Sequence, residues 1–359
     1  MRAVVLVGGE GTRLRPLTYT TPKQLLPIVE VPLLERVLGQ LAGGGVTEVV
    51  LALGHRPDAF LDAYPDGAAA GVRLVYAVEP EPLDTGGAIG FAADAAGIDD
   101  TFLVVNGDVL TDLDVGALLD FHRAHGALAT VHLTPVDDPS RFGVVSTDAA
   151  GRVLAFVEKP PPGEAPTNLI NAGLYVFEPE VLPRLPAGRR VSVERETFPA
   201  LAADGALYAL ASDCYWLDTG TPDSLLQAQT DLLSGVRPGL PAPGAVRRAD
   251  GAWTLGHPRI DGTVDSTSLV GDRAVVAAGA AVTGSVVGAG ATVGAGATVD
   301  GSLLLPGVRL GEGATVHRSI IGRGTDVGAR AELLDLTVVG EHAAVVAGER
   351  LVAARRPAA

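Results

Sequence analysis

The chain has 359 residues, enough for two domains that each bury a core. Apolar residues make up 47% and charged residues 19%, which excludes a disordered chain, and a formal net charge of −15 argues against nucleic acid or an anionic membrane as partner. A single cysteine, Cys214, excludes an internal disulfide framework and fits a reducing cytoplasm.

Ala3 to Val7 reads as a buried strand, apolar throughout, and it empties into Gly8-Gly9-Glu10-Gly11-Thr12-Arg13. No signal peptide is expected from so short an apolar run, and no stretch approaches the ~20 apolar residues of a membrane span. The glycine loop leaves bare backbone N–H groups at the carboxyl edge of a sheet, where an anion approaches without meeting a Cβ. Arg13, Arg15 and Lys23 add positive charge, so a polyphosphate is the expected guest. A tight βα turn with surface arginines is the alternative, because a lone Gly-x-Gly is weak. Of the 27 basic residues only Lys23 and Lys159 are lysines, and each adjoins a proline. An ammonium and a guanidinium are not interchangeable at a tight phosphate site, which makes both lysines candidates.

Helices are expected over Leu33–Leu41, Pro57–Tyr64, Thr85–Ala96 and Leu113–His125, alternating with strands over Val49–Leu53, Val72–Val78 and Phe102–Val105. That alternation indicates βαβ units and a mostly parallel sheet, whose ligands bind beyond the carboxyl ends of the strands. Asp108, after Asn106-Gly107, falls at such an end and suits Mg²⁺, or else caps a turn. Strands follow at Ala129–Val136, Val144–Thr147, Val153–Glu158, Leu174–Phe177, Leu207–Leu210 and Tyr215–Asp218, then a helix from Pro222 to Leu233. Ser192 with Glu196 is a helix cap whose acid stands one place late. Ser234 to Gly251 is a Pro/Gly-rich linker.

From about Leu269 the sequence repeats. Val270, Val276 and Val282 open a series continued by Val287, Val293 and Val299, then Leu304, Leu310 and Val316, and onward to Leu351. One aliphatic residue every six, in groups of three, describes a triangular solenoid with small residues such as Gly288-Ala289-Gly290 at its corners. Such hexads resemble left-handed parallel β-helices, and self-association is the role expected of this domain. A rival role is acyl transfer with His317 or His342 as base.

Gly8-Gly9-x-Gly11-Thr12-Arg13-Leu14-x-Pro16-Leu17-Thr18, followed by Pro22-Lys23-x-x-x-Pro27-Ile28, resembles the signature of the sugar-1-phosphate nucleotidylyltransferases. The resemblance implies a Rossmann-like, mixed but mostly parallel nucleotidyltransferase domain over 1–235, a linker over 236–252 and a β-helix over 253–359. It implies Mg²⁺-dependent transfer of a nucleotidyl group from a nucleoside triphosphate to a sugar 1-phosphate in the cytoplasm, with Arg13, Lys23, Asp108 and Asp218 as catalytic residues. Gly8, Gly9, Gly11, Thr12, Glu79, Leu83, Thr85, Gly86 and Gly107 would join Arg13 and Lys23 on the nucleotide. Gly143, Glu158, Lys159 and Asn171 would join Asp108 on the sugar phosphate, and Asp108 and Asp218 would hold the metal. A surface ion pair is the alternative for Glu158 and Lys159, and a turn cap for Asp218.

The base is less clearly marked. Pro22-Lys23-Gln24-Leu25-Leu26-Pro27 and Trp216-Leu217-Asp218-Thr219-Gly220-Thr221 look like the thymidylyl branch. Glu79-Pro80, Leu83, Thr85-Gly86-Gly87, Ile170-Asn171-Ala172-Gly173 and Val191–Glu196 look like mannose-1-phosphate guanylyltransferases, and the Gly-Leu-Ala-Gln run of the thymidylyl branch is missing. GTP is favoured, with dTTP and ATP as alternatives. The acceptor is mannose 1-phosphate, glucose 1-phosphate or a sugar-like cyclitol phosphate. A catalytically inactive nucleotide-sugar sensor is the reading of another class. Retention of Arg13, Lys23, Asp108, Lys159 and Asp218 favours the enzyme.

Overall fold

The computed structural model describes residues 1–357, and the chain divides into two compact units. The first holds Met1–Gly9 and Leu34–Leu217; the second holds Glu10–Leu33 and the chain from Asp218 onward. No helix among the described residues is long and apolar enough to cross a membrane.

The first unit is built on a ten-stranded mixed sheet. Four strands form its parallel centre: Val72–Val78, Glu48–Leu53, Arg2–Leu6 and Phe102–Asn106, in that spatial order. In chain order these are third, second, first and fourth, so the winding reverses between Arg2–Leu6 and Phe102–Asn106. At such a switch point the loops leaving two neighbouring strands diverge and open a crevice. Valines dominate these strands because both faces are covered, and Val4, Val50, Phe102 and Val104 are fully buried. Antiparallel pairing extends the sheet through Leu169–Phe177, Gly143–Thr147 and Val153–Glu158.

One local feature differs from the sequence expectation and one bears it out, each for a physical reason. Strand Leu169–Phe177 begins before the predicted Leu174, because the register against Ala129–Pro135 slips between Asn171 and Tyr175 and hides the alternation. The Ser192 cap is real. Its hydroxyl accepts from the Arg195 N–H at 3.3 Å, and its own N–H donates to Glu196 Oε1 at 3.2 Å. Val193–Thr197 is a π-turn, one residue wider than an α-turn, which is why the acid of this reciprocal cap stands one place late.

The coil of the second unit is a parallel β-helix of three sheets with eight, six and six strands. Partners stand 17 residues apart, as in Val270 with Val287, Val276 with Val293 and Val282 with Val299, all buried in one core. This is the left-handed hexad architecture that the repeat predicts. The single 18-residue step in the repeat places its extra residue in a turn, where Asp335 and Leu336 both adopt left-handed backbone. The coil's first rung is Trp253–Thr254, and the preceding Val246–Arg247 pairs with it antiparallel.

A buried hydroxyl ladder, unnoticed in the sequence, runs along one corner. Ser268, Ser285, Ser302 and Ser319 are each at most 2% exposed. Ser285, Ser302 and Ser319 each donate their backbone N–H to the hydroxyl one rung before, at 2.9–3.1 Å. Each of those three hydroxyls donates in turn to a carbonyl two residues back in its own rung. The serines recur every 17 residues, a signal hidden beneath the hexad.

Candidate active site

At the switch point Leu6 stands opposite Asn106. One chain leaves as Gly8-Gly9, both exposed, and its neighbour leaves as Gly107-Asp108. The Gly107 N–H donates to the Leu6 carbonyl at 3.0 Å. A Cβ on Gly107 would lie 2.8 Å from Val7 Cγ1 and 2.9 Å from the Leu6 oxygen, so only glycine lets Asp108 follow here. The predicted glycine loop and carboxylate thus leave adjacent strands at the crevice.

Glu79 follows strand Val72–Val78. Its Oε2 accepts the Leu83 N–H at 3.0 Å, and its Oε1 faces Gly8 and Gly54. Burial pushes this carboxyl up, and the Leu83 N–H works against that. Thr85 and Gly86 lie in the first turn of helix Asp84–Ala95. Here the Gly86 N–H donates to the Val191 carbonyl at 2.8 Å, and the Thr85 hydroxyl donates to Glu194 Oε2 at 2.6 Å. Within the unit these groups hold the Val191–Glu194 segment.

The predicted sugar residues converge from three strands. Gly143 pairs with Glu158, and Val144 with Ile170, which neighbours Asn171. Lys159 Nζ lies 3.0 Å from Glu158 Oε1, with side chains 59% and 17% exposed. An exposed ion pair of this kind adds little stability, which leaves the lysine available to an anion. Lys159 also has φ of 50° immediately before Pro160, a conformation that the ring disfavours and that clusters at functional sites. Asn171 Nδ2 donates to the Tyr175 hydroxyl at 2.9 Å, while Asn171 Oδ1 accepts from the Gly173 N–H. Tyr175 is fully buried; burial pushes its hydroxyl well up, and the Glu194 and Glu158 charges add to that. The Asn106 side chain lies against Gly173, where a Cβ would come 2.6 Å from its Nδ2, so Asn106 borders the Asn171–Tyr175 pair from the strand end before Asp108.

Sequence reasoning did not single out Asn106, Tyr175 or Trp216. Trp216 Nε1 donates to the Ala172 carbonyl at 2.9 Å, and its ring meets Phe142 edge-on at 5.6 Å. The available signal was Trp216, one of two tryptophans in the chain, standing two residues before a strand-end aspartate. Cys214 has His132 Nε2 at 3.9 Å. That imidazole is held by Ser212 at 2.7 Å, and burial lowers its pKa to about 4.

The remaining predicted residues belong to the second unit. Gly11 has φ of 62° and opens the 3₁₀ turn Thr12–Leu14, with Thr12 and Arg13 exposed. The Thr18 hydroxyl donates to the Gly11 carbonyl at 2.8 Å, and a Cβ on Gly11 would lie 3.2 Å from Lys23 Cβ. Lys23 itself opens the turn Lys23–Leu25 after Pro22. Arg13 Nη2 lies 3.8 Å from Asp218 Oδ2, with side chains 51% and 25% exposed. At that distance and exposure the pair is weak, and the guanidinium keeps its charge for another anion. Asp218 Oδ1 accepts the Gly220 N–H at 2.8 Å. A Cβ on Gly220 would lie 2.5 Å from Arg13 Nη2, so the Thr219-Gly220 turn is what admits the guanidinium. Arg15 is engaged by Glu10 at 2.8 Å and by the Tyr19 ring. In the coil, His317 lies between Asp300 and Asp335 at 3.5 and 3.9 Å, and His342 sits exposed at a corner.

Residues 2–235 match the family model described as Nucleotidyl transferase, and residues 264–355 match that described as GMPPB C-terminal domain. The chain is 48% identical over 240 residues to a mannose-1-phosphate guanylyltransferase of Mycobacterium tuberculosis, covering 66% of each protein. It is 38% identical over 280 residues to a probable mannose-1-phosphate guanylyltransferase 1 of Oryza sativa, covering 77% of this chain and 74% of that one. Among solved structures, HddC from Yersinia pseudotuberculosis complexed with GMP-PN aligns with a TM-score of 0.55 and 28% identity, covering 64% of this chain and 97% of that one.

Proposed function

Because the chain belongs to the nucleotidyl transferase family, we propose that it transfers a guanylyl group from GTP to mannose 1-phosphate, forming GDP-mannose and releasing pyrophosphate. The observation that carries this reading is the switch point, where Gly8-Gly9 and Asp108 leave adjacent strands. The relatives' printed names support the base and the sugar.

The acceptor phosphate attacks the α-phosphorus in line, so the protein's task is to hold two anions together and absorb charge on the leaving pyrophosphate. The exposed amides of Gly8 and Gly9 receive the nucleotide, and Arg13 and Lys23 take the charge of the β- and γ-phosphates. Lys159 holds the sugar phosphate. Glu158 and Asn171 accept from sugar hydroxyls, and the Tyr175 hydroxyl and the Gly173 N–H keep Asn171 in one orientation. Glu79 supports guanine, whose N1–H and N2–H₂ are donors that a carboxylate matches and an amide matches less well.

Asp108 and Asp218 are hard oxygen donors, two carboxylates in all. Such a donor set fits Mg²⁺, which keeps waters, takes one or two carboxylates and borrows phosphate oxygens. When bound it would neutralise phosphate charge. By sequence we assign residues 1–235 to the transferase, 236–252 to a linker and 253–359 to the coil, of which 358 and 359 lie outside the described residues, in a cytoplasmic enzyme that self-associates through the coil. The last rung supports that association: Ala344–Val345, Arg350–Val352 and Arg355–Arg356 are paired on one side only, and Val346 is exposed.

The test is pyrophosphate release from four nucleoside triphosphates against mannose 1-phosphate, glucose 1-phosphate and a cyclitol phosphate, with and without Mg²⁺. Metal-dependent release with GTP and mannose 1-phosphate is expected. Release with dTTP or ATP instead would move the assignment to another branch, and nucleotide-sugar binding without turnover would favour a sensor. Lys23→Ala and Asp108→Asn should each lower turnover at least ~100-fold with the fold intact, and near-normal rates in both would remove the site assignment.

A further inference from the structure

Residues 10–33 carry Gly11, Arg13 and Lys23, yet they group with the coil rather than with the sheet. The hairpin Pro27–Ile28 and Val31–Pro32 closes this segment, with Ile28 opposite Val31. Its two turn residues, Val29 and Glu30, both adopt left-handed backbone, at φ of 46° and 64°. Such turns favour Asn-Gly, and a β-branched residue there is strained. Surrounding contacts hold the tip in place. Val29 is fully buried, its N–H donates to Gln229 Oε1, and Gln229 Nε2 donates to the Pro27 carbonyl.

The strained tip presents Glu30 to the coil. Glu30 Oε2 accepts the N–H of Ala289 at 3.0 Å, at the corner Gly288-Ala289-Gly290. One rung further on, that corner position is Pro306, which has no N–H, so the coil itself does not require a donor there. Arg323, a further rung along, adds a favourable charge, while burial of the carboxyl opposes it. On the other side of Lys23, the Thr21 hydroxyl donates to Glu341 Oε1 at 2.9 Å. The coil thus grips the segment both before and after Lys23.

We infer that Glu30 is a positioning residue: by docking the hairpin tip on the Ala289 corner it sets where Arg13 and Lys23 meet the triphosphate. The coil is then a working part of the nucleotide site as well as a scaffold. This rests on the assignment of Arg13 and Lys23 to the triphosphate.

The test uses the full-length protein with GTP and mannose 1-phosphate each varied in turn. Glu30→Ala should lower kcat/KM for GTP about 10- to 100-fold, as small misplacements of charged groups do, and leave KM for mannose 1-phosphate near its starting value. Glu30→Gln keeps an acceptor for the Ala289 N–H and should restore most of the loss. Hydrogen exchange should rise in residues 10–33 of Glu30→Ala and stay unchanged in the sheet. Normal GTP kinetics in Glu30→Ala, or equal losses for both substrates, overturns the inference. If Glu30→Ala does not fold, Thr21→Val carries the test, with a smaller GTP-specific loss expected and normal kinetics overturning it. Full turnover in Lys23→Ala would instead remove the premise, and with it the role given to Glu30, even if exchange in residues 10–33 still rises.

Discussion

The sheet and the coil both satisfy backbone groups and bury apolar faces, but they recruit partners from very different distances along the chain. In the coil a residue pairs with its equivalent 17 positions away, and the same hydroxyl recurs at the same corner. In the first unit, Leu6 pairs with Asn106 in the sheet, and the Asp112 N–H reaches the Tyr215 carbonyl. Repetition yields a frame in which every rung resembles the last. Long-range pairing brings chemically unlike residues to one edge, and that is where a reaction can be built. The segment Glu10–Leu33 crosses this divide: its sequence belongs to the chemistry and its packing to the frame.

Removing the frame tests that division most severely. A chain ending after Gly235 loses Ala289, Arg323 and Glu341, the partners of the Thr21–Glu30 stretch. It should retain the sheet's circular dichroism, change in mass by light scattering, and lose turnover by at least ~100-fold. Full activity would separate the chemistry from the coil, and an unchanged mass would end the coil's role in self-association.

Acid should distinguish the units next. His132 is fully buried in the sheet, and its folded pKa is near 4 against an ordinary 6.5. Between those values the unfolded chain binds the extra proton, so stability is full above about pH 6.5 and falls as the pH drops toward 4. The loss is at most about 3 kcal/mol at one pKa unit per 1.36 kcal/mol. The coil's His257, His317 and His342 are exposed or half-buried and lack this burial. Thermal unfolding followed at pH 5 and pH 7 should show the sheet losing more, and His132→Asn should flatten the difference. Equal losses in both units would contradict it.

The smallest effect belongs to the frame. Ser302→Ala removes the acceptor of the buried Ser319 N–H, at a cost of about 1–3 kcal/mol. Denaturant unfolding should show that loss with turnover nearly unchanged. A large fall in activity would mean that the coil's rungs are less independent of the site than their regularity implies.

Much of the proposed site rests on residue types that stand out in a sequence because phosphate chemistry demands them: the glycine loop, the two surviving lysines, and Asp108 and Asp218 at strand ends. What sequence reasoning left out was held by distant partners. Trp216 matters through the Ala172 carbonyl, Asn106 through Gly173, and Glu30 through Ala289, and none of those pairs is near in sequence. Thr85 and Gly86 show the converse, since their polar groups are engaged by Val191 and Glu194 within the sheet unit.

Composition, the alternation of strand and helix and the hexad period by themselves determined an α/β sheet followed by a solenoid, because those patterns arise from local burial and from the 17-residue return of the chain. Only the tertiary structure decided that the winding reverses between Arg2–Leu6 and Phe102–Asn106, and that Glu10–Leu33 is packed with the coil. Both depend on which distant surfaces meet. A sequence read along its length records periodicity, whereas the pairing of remote surfaces is settled only when the whole chain has packed.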